Sequence, residues 1–131
     1  MTPEKAVENK IKKALEKENY YFNKNFGGGY SKKGIPDIIG VGNNQFFAIE
    51  VKRIEGGNPT PIQIKHLKQI AQNGGLAYLA CGPEVVDDIK TNHGKLESFN
   101  ITKTPDDDIT VSFAHKLWTN RQNGINVIKL Y

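Results

Sequence analysis

The sequence is short of nearly everything that marks a secreted or membrane-spanning chain. It has a single cysteine, a single methionine and a single tryptophan in 131 residues. One cysteine excludes an internal disulfide, and Cys81 lies inside an apolar run, where it reads as a small buried hydrophobe. No apolar run approaches the roughly 20 residues of a membrane helix. The N-terminus is polar and helix-like rather than a signal peptide, so the chain is expected in the cytoplasm with no membrane partner. His66, His93 and His115 show no metal-ligand spacing and read as structural or surface residues. No Gly-Lys-Ser/Thr follows the glycine-rich segment, which excludes a phosphate-cradling P-loop. There are no internal repeats.

What remains is a small, polar, basic chain of one domain's length. Hydrophobic residues make up 37% and charged residues 24%, which allows a real but thin core and leaves apolar surface for a partner subunit to cover. The net charge is +4 with pI near 9.1, consistent with a polyanionic partner. Lys5, Lys10, Lys12, Lys13, Lys17, Lys24, Lys32 and Lys33 all precede residue 34, opposed there only by Glu4, Glu8, Glu16 and Glu18. Part of this excess is an ordinary solvated helix face with pairs such as Glu8–Lys12 and Lys12–Glu16.

The stretch 34–52 carries the chemistry. Two apolar runs, Ile38-Ile39-Gly40-Val41 and Phe46-Phe47-Ala48-Ile49, flank the polar turn Asn43-Asn44-Gln45. Paired as antiparallel strands, they bring Asp37, Glu50 and Lys52 to one end of a sheet. A divalent cation such as Mg²⁺ takes hard oxygen ligands from one or two carboxylates. Asp37 and Glu50 supply those, and the Val51 carbonyl between Glu50 and Lys52 supplies a third oxygen. Lys52 leaves the strand on the same face as Glu50, where its amine can orient water or stabilise charge building on a phosphate. Pro-Asp and Glu-x-Lys each occur commonly without function. Together, at the ends of apolar strands, they leave buried charge that a metal would compensate.

The flanks support this centre. Thr2 caps a helix with Pro3 in its first turn, and Val7, Ile11, Ala14 and Leu15 form its inward stripe with Glu8 at the border. An aromatic strand over 20–26 follows. The loop 27–34, with four glycines and two lysines, reads as a basic flap beside a polyanion-binding face. Thr60-Pro61 begins a second helix that Asn73-Gly74-Gly75 ends, and 76–81 is a strand buried on both faces. Strand, helix, strand makes a βαβ crossover, so these two strands should be parallel neighbours. A short helix follows Gly82-Pro83, and 96–101 is strand-like. Asp106-Asp107-Asp108 reads as solvated loop. Segments 109–118 and 125–130 are ordered, the first as helix or strand.

Pro36-Asp37 with Glu50-Val51-Lys52 resembles the signature of the PD-(D/E)xK nuclease superfamily. Gly34-Ile35-Pro36-Asp37-Ile38-Ile39, an acidic residue on the leading helix matched by Glu8, and Pro59-Thr60-Pro61-x-Gln63 resemble its VRR-Nuc branch. The resemblance spans roughly 2–81, within a single domain whose remainder, 82–131, offers a dimer surface. It implies an α/β, restriction-endonuclease-like core: a mixed central β-sheet flanked by helices. It implies a Mg²⁺- or Mn²⁺-dependent DNA endonuclease, with Asp37, Glu50 and the Val51 carbonyl on the metal, Lys52 catalytic, Glu8 reaching the metal and Gln63 orienting the site. Minimal stand-alone members of the branch resemble Holliday-junction resolvases, which implies a homodimer acting on branched DNA. Tyr30, Lys32, Lys33 and Arg53 flank the site as phosphate contacts. The alternatives are a restriction-type, flap or nicking nuclease, or an inactive nucleic-acid-binding module on the same fold.

Overall fold

The structure is a computed structural model that describes residues 1–25 and 33–131. Among the described residues, six strands form one mixed sheet in the order β1-β2-β3-β4-β6-β5. They are β1 (Tyr21–Lys24), β2 (Ile38–Gly42), β3 (Gln45–Val51), β4 (Leu76–Ala80), β5 (Glu97–Phe99) and β6 (Val127–Leu130). The described residues also form the flanking helices α1 (Pro3–Lys17), α2 (Pro61–Gln72), α3 (Glu84–Thr91) and α4 (Asp107–Thr119). One short 3₁₀ turn spans Ile101–Lys103. Among the described residues no helix is long and apolar enough to cross a membrane.

The central hairpin forms because its turn suits the twist of its strands. Gly42 pairs with Gln45, leaving Asn43 and Asn44 as the two turn residues, with φ of 53° and 65°. Positive φ at both positions defines the hairpin turn that asparagine tolerates best among residues with side chains. Ile38 lies opposite Ile49, so Asp37 and Glu50 flank the last registered pair. β3 then pairs in parallel with β4, from Phe47↔Leu76 to Val51↔Ala80, through α2 as the crossover.

Side chains alternate between two cores, as strand geometry requires. Phe47, Ile49 and Val51 join Val7, Ile11 and Leu15 of α1 and Val85, Val86 and Ile89 of α3. Ala48, Ala77 and Leu79 join Ile64 and Leu67 of α2 and Ala114 and Trp118 of α4. β4 is buried on both faces.

The segment left open as helix or strand is α4. Asp106 is its N-cap, accepting from the backbone N–H groups of Asp108 and Ile109 at 2.8 and 3.2 Å. The aspartate run is thus a helix start rather than loop, with acidic residues where a helix N-terminus favours them. The 96–101 segment is a strand of only three residues followed by the 3₁₀ turn. Of the apolar residues after 108, Trp118, Val127, Ile128 and Leu130 are buried in the chain's own core, while Ile109 and Phe113 stay exposed on α4.

Candidate metal centre

α1 starts as its sequence dictates. The Thr2 hydroxyl accepts from the Lys5 N–H at 3.1 Å, and Pro3 occupies the first turn, where it forfeits no hydrogen bond. This start aims Glu4, in the first turn, toward the end of β3. Carboxylate oxygens of Glu4, Asp37 and Glu50 lie within 4.8 Å of one another. Asp37 is fixed by the N–H of Val51, which donates to its Oδ2 at 2.8 Å. The backbone N–H of Asn25 donates to the Asp37 carbonyl at 2.7 Å and ties the approach to β2 against the end of β1.

Glu50 is almost fully buried, and Lys52 Nζ lies 3.6 Å from its Oε2. Burial and the adjacent Asp37 carboxylate push the Glu50 carboxyl up to about 9. Lys52 works in the opposite direction without prevailing. Three converging carboxylates with one of them strained toward protonation describe a deficit of positive charge. The donor set is all oxygen, without thiolate or imidazole, which suits a hard divalent cation. A cation there removes the opposition to charge on Glu50, so the residues fit the group.

Glu8 stands apart from this cluster. Its carboxylate meets Lys24 Nζ at 2.7 Å through Oε1, and Lys5 at 2.7 Å and Lys12 at 3.5 Å through Oε2. Burial works against its charge, but hydrogen bonds from Lys24 and Lys5 outweigh it and hold the carboxyl at about 2. Lys24 also approaches Asp37 Oδ1 at 3.4 Å. Burial works against its ammonium, yet Glu8 and Asp37 raise its pKa on balance. The helix residue that joins Asp37 and Glu50 is therefore Glu4, one turn before Glu8. Helical spacing holds the signal, since Glu4 and Glu8 share a face, but nothing in it ranks one above the other.

Gln63 serves α2 rather than the carboxylates. Its Oε1 accepts from the Thr60 N–H at 2.9 Å while its own N–H donates to the Thr60 hydroxyl at 3.4 Å, a complete capping box. Gly34, at φ +80°, packs against α2: a β-carbon there would lie 2.8 Å from a side-chain carbon of Ile62. Only glycine meets both demands easily. Lys33 and Arg53 are exposed near this end of the sheet. Tyr30 and Lys32, with most of the 27–34 loop, lie outside the described residues.

Arg53 borders a cleft of about 460 Å³ with Pro3, Val7, Ile54 and Glu55, beside Glu4 and Lys52 in sequence. The loop after Lys52 is anchored from α4 and the turn that follows it: Trp118 Nε1 donates to the Gly57 carbonyl at 2.8 Å, and Arg121 donates to the Ile54 carbonyl at 2.6 Å. A second depression, at Phe46, His66, Ile70 and Gly75, lies at the far end of β3 and has no carboxylate or cation in its lining.

A mixed sheet between two helical layers, with carboxylates and a lysine converging at the end of a central parallel strand, defines an α/β fold of the restriction-endonuclease-like kind. More particularly, the fold is that of a VRR-Nuc domain. A solved structure described as "VRR_NUC domain" superposes with a TM-score of 0.57 at 22% identity, over 71% of this chain and 99% of that one. No family model and no curated protein matches the sequence.

Proposed function

We propose that this chain is a divalent-cation-dependent endonuclease that hydrolyses phosphodiester bonds in DNA, acting as a homodimer on branched substrates such as four-way junctions. The carrying observation is the meeting of Glu4, Asp37 and Glu50 within 4.8 Å, with Lys52 at 3.6 Å from Glu50. The VRR_NUC fold and the basic composition support a nucleic-acid substrate.

Bound Mg²⁺ or Mn²⁺ supplies activation of a water and neutralisation of charge at the scissile phosphate. Glu4, Asp37, Glu50 and the Val51 carbonyl would hold it. The Val51 N–H keeps the Asp37 carboxylate in place. Lys52 is buried along its stem, so its ammonium is confined to the neighbourhood of Glu50. From there it donates to the attacking water or to a non-bridging phosphate oxygen, stabilising charge that grows as the water oxygen bonds to phosphorus and one P–O ester bond breaks. Arg53 and Lys33 lie exposed where they can bind flanking phosphates. Two symmetric cuts need two sites, and the exposed Ile109 and Phe113 of α4 offer an apolar face for a second copy.

The test is incubation with four-way junction, flap and linear duplex DNA in Mn²⁺, Mg²⁺ or EDTA. The expected result is metal-dependent paired incision of the junction, lost in Asp37→Ala and Lys52→Ala. Unchanged cutting by Asp37→Ala rejects the site, flap cleavage alone rejects the resolvase reading, and binding without cutting in every metal points to an inactive module. Light scattering tests the dimer: a clean 14.6 kDa mass at micromolar concentration rejects it.

A further inference from the structure

We propose that Glu8 is a positioning residue whose task is to draw the Lys24 ammonium toward itself and limit its hold on Asp37, keeping that carboxylate available to a divalent cation. The inference rests on the reading of Glu4, Asp37 and Glu50 as the cation site.

Lys24 is the last residue of β1 and pairs with Ile38, so its backbone lies beside the residue that follows Asp37. Its ammonium is mostly buried and contacts two carboxylates, in a close ion pair with Glu8 at 2.7 Å and a longer hydrogen bond to Asp37 Oδ1 at 3.4 Å. The Asp37 oxygen it approaches is Oδ1, while Oδ2 already accepts from the Val51 N–H. An ammonium that settled fully on Oδ1 would occupy the less committed oxygen of a cation ligand. Charge and reach therefore make Lys24 a competitor for the site, unless something draws it aside.

Glu8 is placed to do so. Its side chain is 6% exposed and sits at the centre of three lysines. Lys5 and Lys12 share one oxygen and fix the carboxylate from α1 itself, leaving the other oxygen for Lys24. With both oxygens engaged by ammonium groups, Glu8 acts on the cation site through Lys24.

The test is calorimetric titration with Mn²⁺ alone, without DNA, on the wild type, E8Q, K24M and E8Q/K24M. Glu8→Gln frees Lys24 to move onto Asp37 and should weaken Mn²⁺ binding by on the order of tenfold or more, the size seen when partners of metal ligands are removed. Lys24→Met keeps the stem and removes the competitor, so it should bind Mn²⁺ at least as tightly as the wild type. In the Lys24→Met background the Glu8→Gln change should cost less than about twofold, because the two residues act as one unit. The same loss in both backgrounds would show Glu8 acting on the cation directly and overturn the inference, as would full Mn²⁺ affinity in E8Q alone. Glu8→Asp, which keeps the charge but draws it back from Lys24, should give an intermediate loss even if E8Q folds poorly. Asp37→Ala separates the two levels: unchanged Mn²⁺ binding there removes the cation site itself, whereas lost binding there with an unaffected E8Q removes only the role of Glu8.

Discussion

At the end of β3 three carboxylates meet with too few cations, while between α2 and α4 a single buried ammonium meets every acceptor it can use. Lys68 Nζ donates to the carbonyls of Thr104 and Pro105 and to Asp107 Oδ1 at 3.0, 2.9 and 3.0 Å. Three donors find three acceptors, so nothing is left over to bind anything else. Asp88 is likewise paired inside the fold: Tyr78 O–H donates to its Oδ2 at 2.7 Å and Lys129 Nζ lies 3.0 Å from the same oxygen. Around Lys68 the buried charge is closed on itself, whereas at the end of β3 it is left open toward a ligand.

The sharpest test of this contrast is Asp37→Asn, which keeps the acceptor for the Val51 N–H and removes the charge. DNA cleavage should fall by on the order of a thousandfold. The melting temperature without metal should hold or rise, since Glu50 loses a repulsive neighbour. A clear drop in melting temperature would make the site one more structural network. Lys68→Ala should do the reverse, costing about 3 kcal/mol of stability by stranding buried carbonyls and leaving Mn²⁺ affinity unchanged. Denaturant melts and calorimetry on the same samples check both statements.

The pH dependence follows from the same difference. Glu50 holds its proton in the folded chain to about 9, against an ordinary 4.5. Between those values the folded state binds more protons than the unfolded state, so stability in EDTA should decline as pH rises through that window, by at most about 1.4 kcal/mol per unit. Glu8 acts oppositely: its contribution is present above 4.5 and is lost as pH falls toward about 2. Thermal melts in EDTA should therefore be highest near pH 5. Glu50→Gln should flatten the alkaline limb, and added Mn²⁺ should restore stability at pH 8. A flat wild-type profile from 5 to 9 would contradict the open-charge account of Glu50. The smallest effect belongs to Tyr78→Phe, which loses one hydrogen bond to an Asp88 still held by Lys129. It should cost about 1 kcal/mol and leave Mn²⁺ binding untouched.

Local signals were the legible ones. Thr2-Pro3 and Thr60-Pro61 mark helix starts because capping needs only neighbouring atoms. Asn43-Asn44 marks the hairpin for the same reason. The βαβ crossover from β3 through α2 to β4 follows from a periodicity switch and the length of the connection. Asp37, Glu50 and Lys52 were legible because a two-residue turn fixes their mutual register. Less legible was the choice between Glu4 and Glu8, which share a helix face and differ only in where α1 lies across the sheet. Nothing local marks the roles of Lys24 and Lys68, because their partners lie 13 to 39 residues away.

The sequence by itself therefore determined the carboxylate pair, the lysine beside it and the strand–helix–strand frame that carries them. Their geometry is set by hydrogen bonds and turns between near neighbours in the chain. Tertiary structure alone decided that Glu4 completes the acidic cluster, that Glu8 is surrounded by lysines, and that Trp118 and Arg121 anchor the loop behind Lys52. Those outcomes depend on where helices dock on a sheet, which is set by how the two cores pack rather than by the local pattern of any one segment.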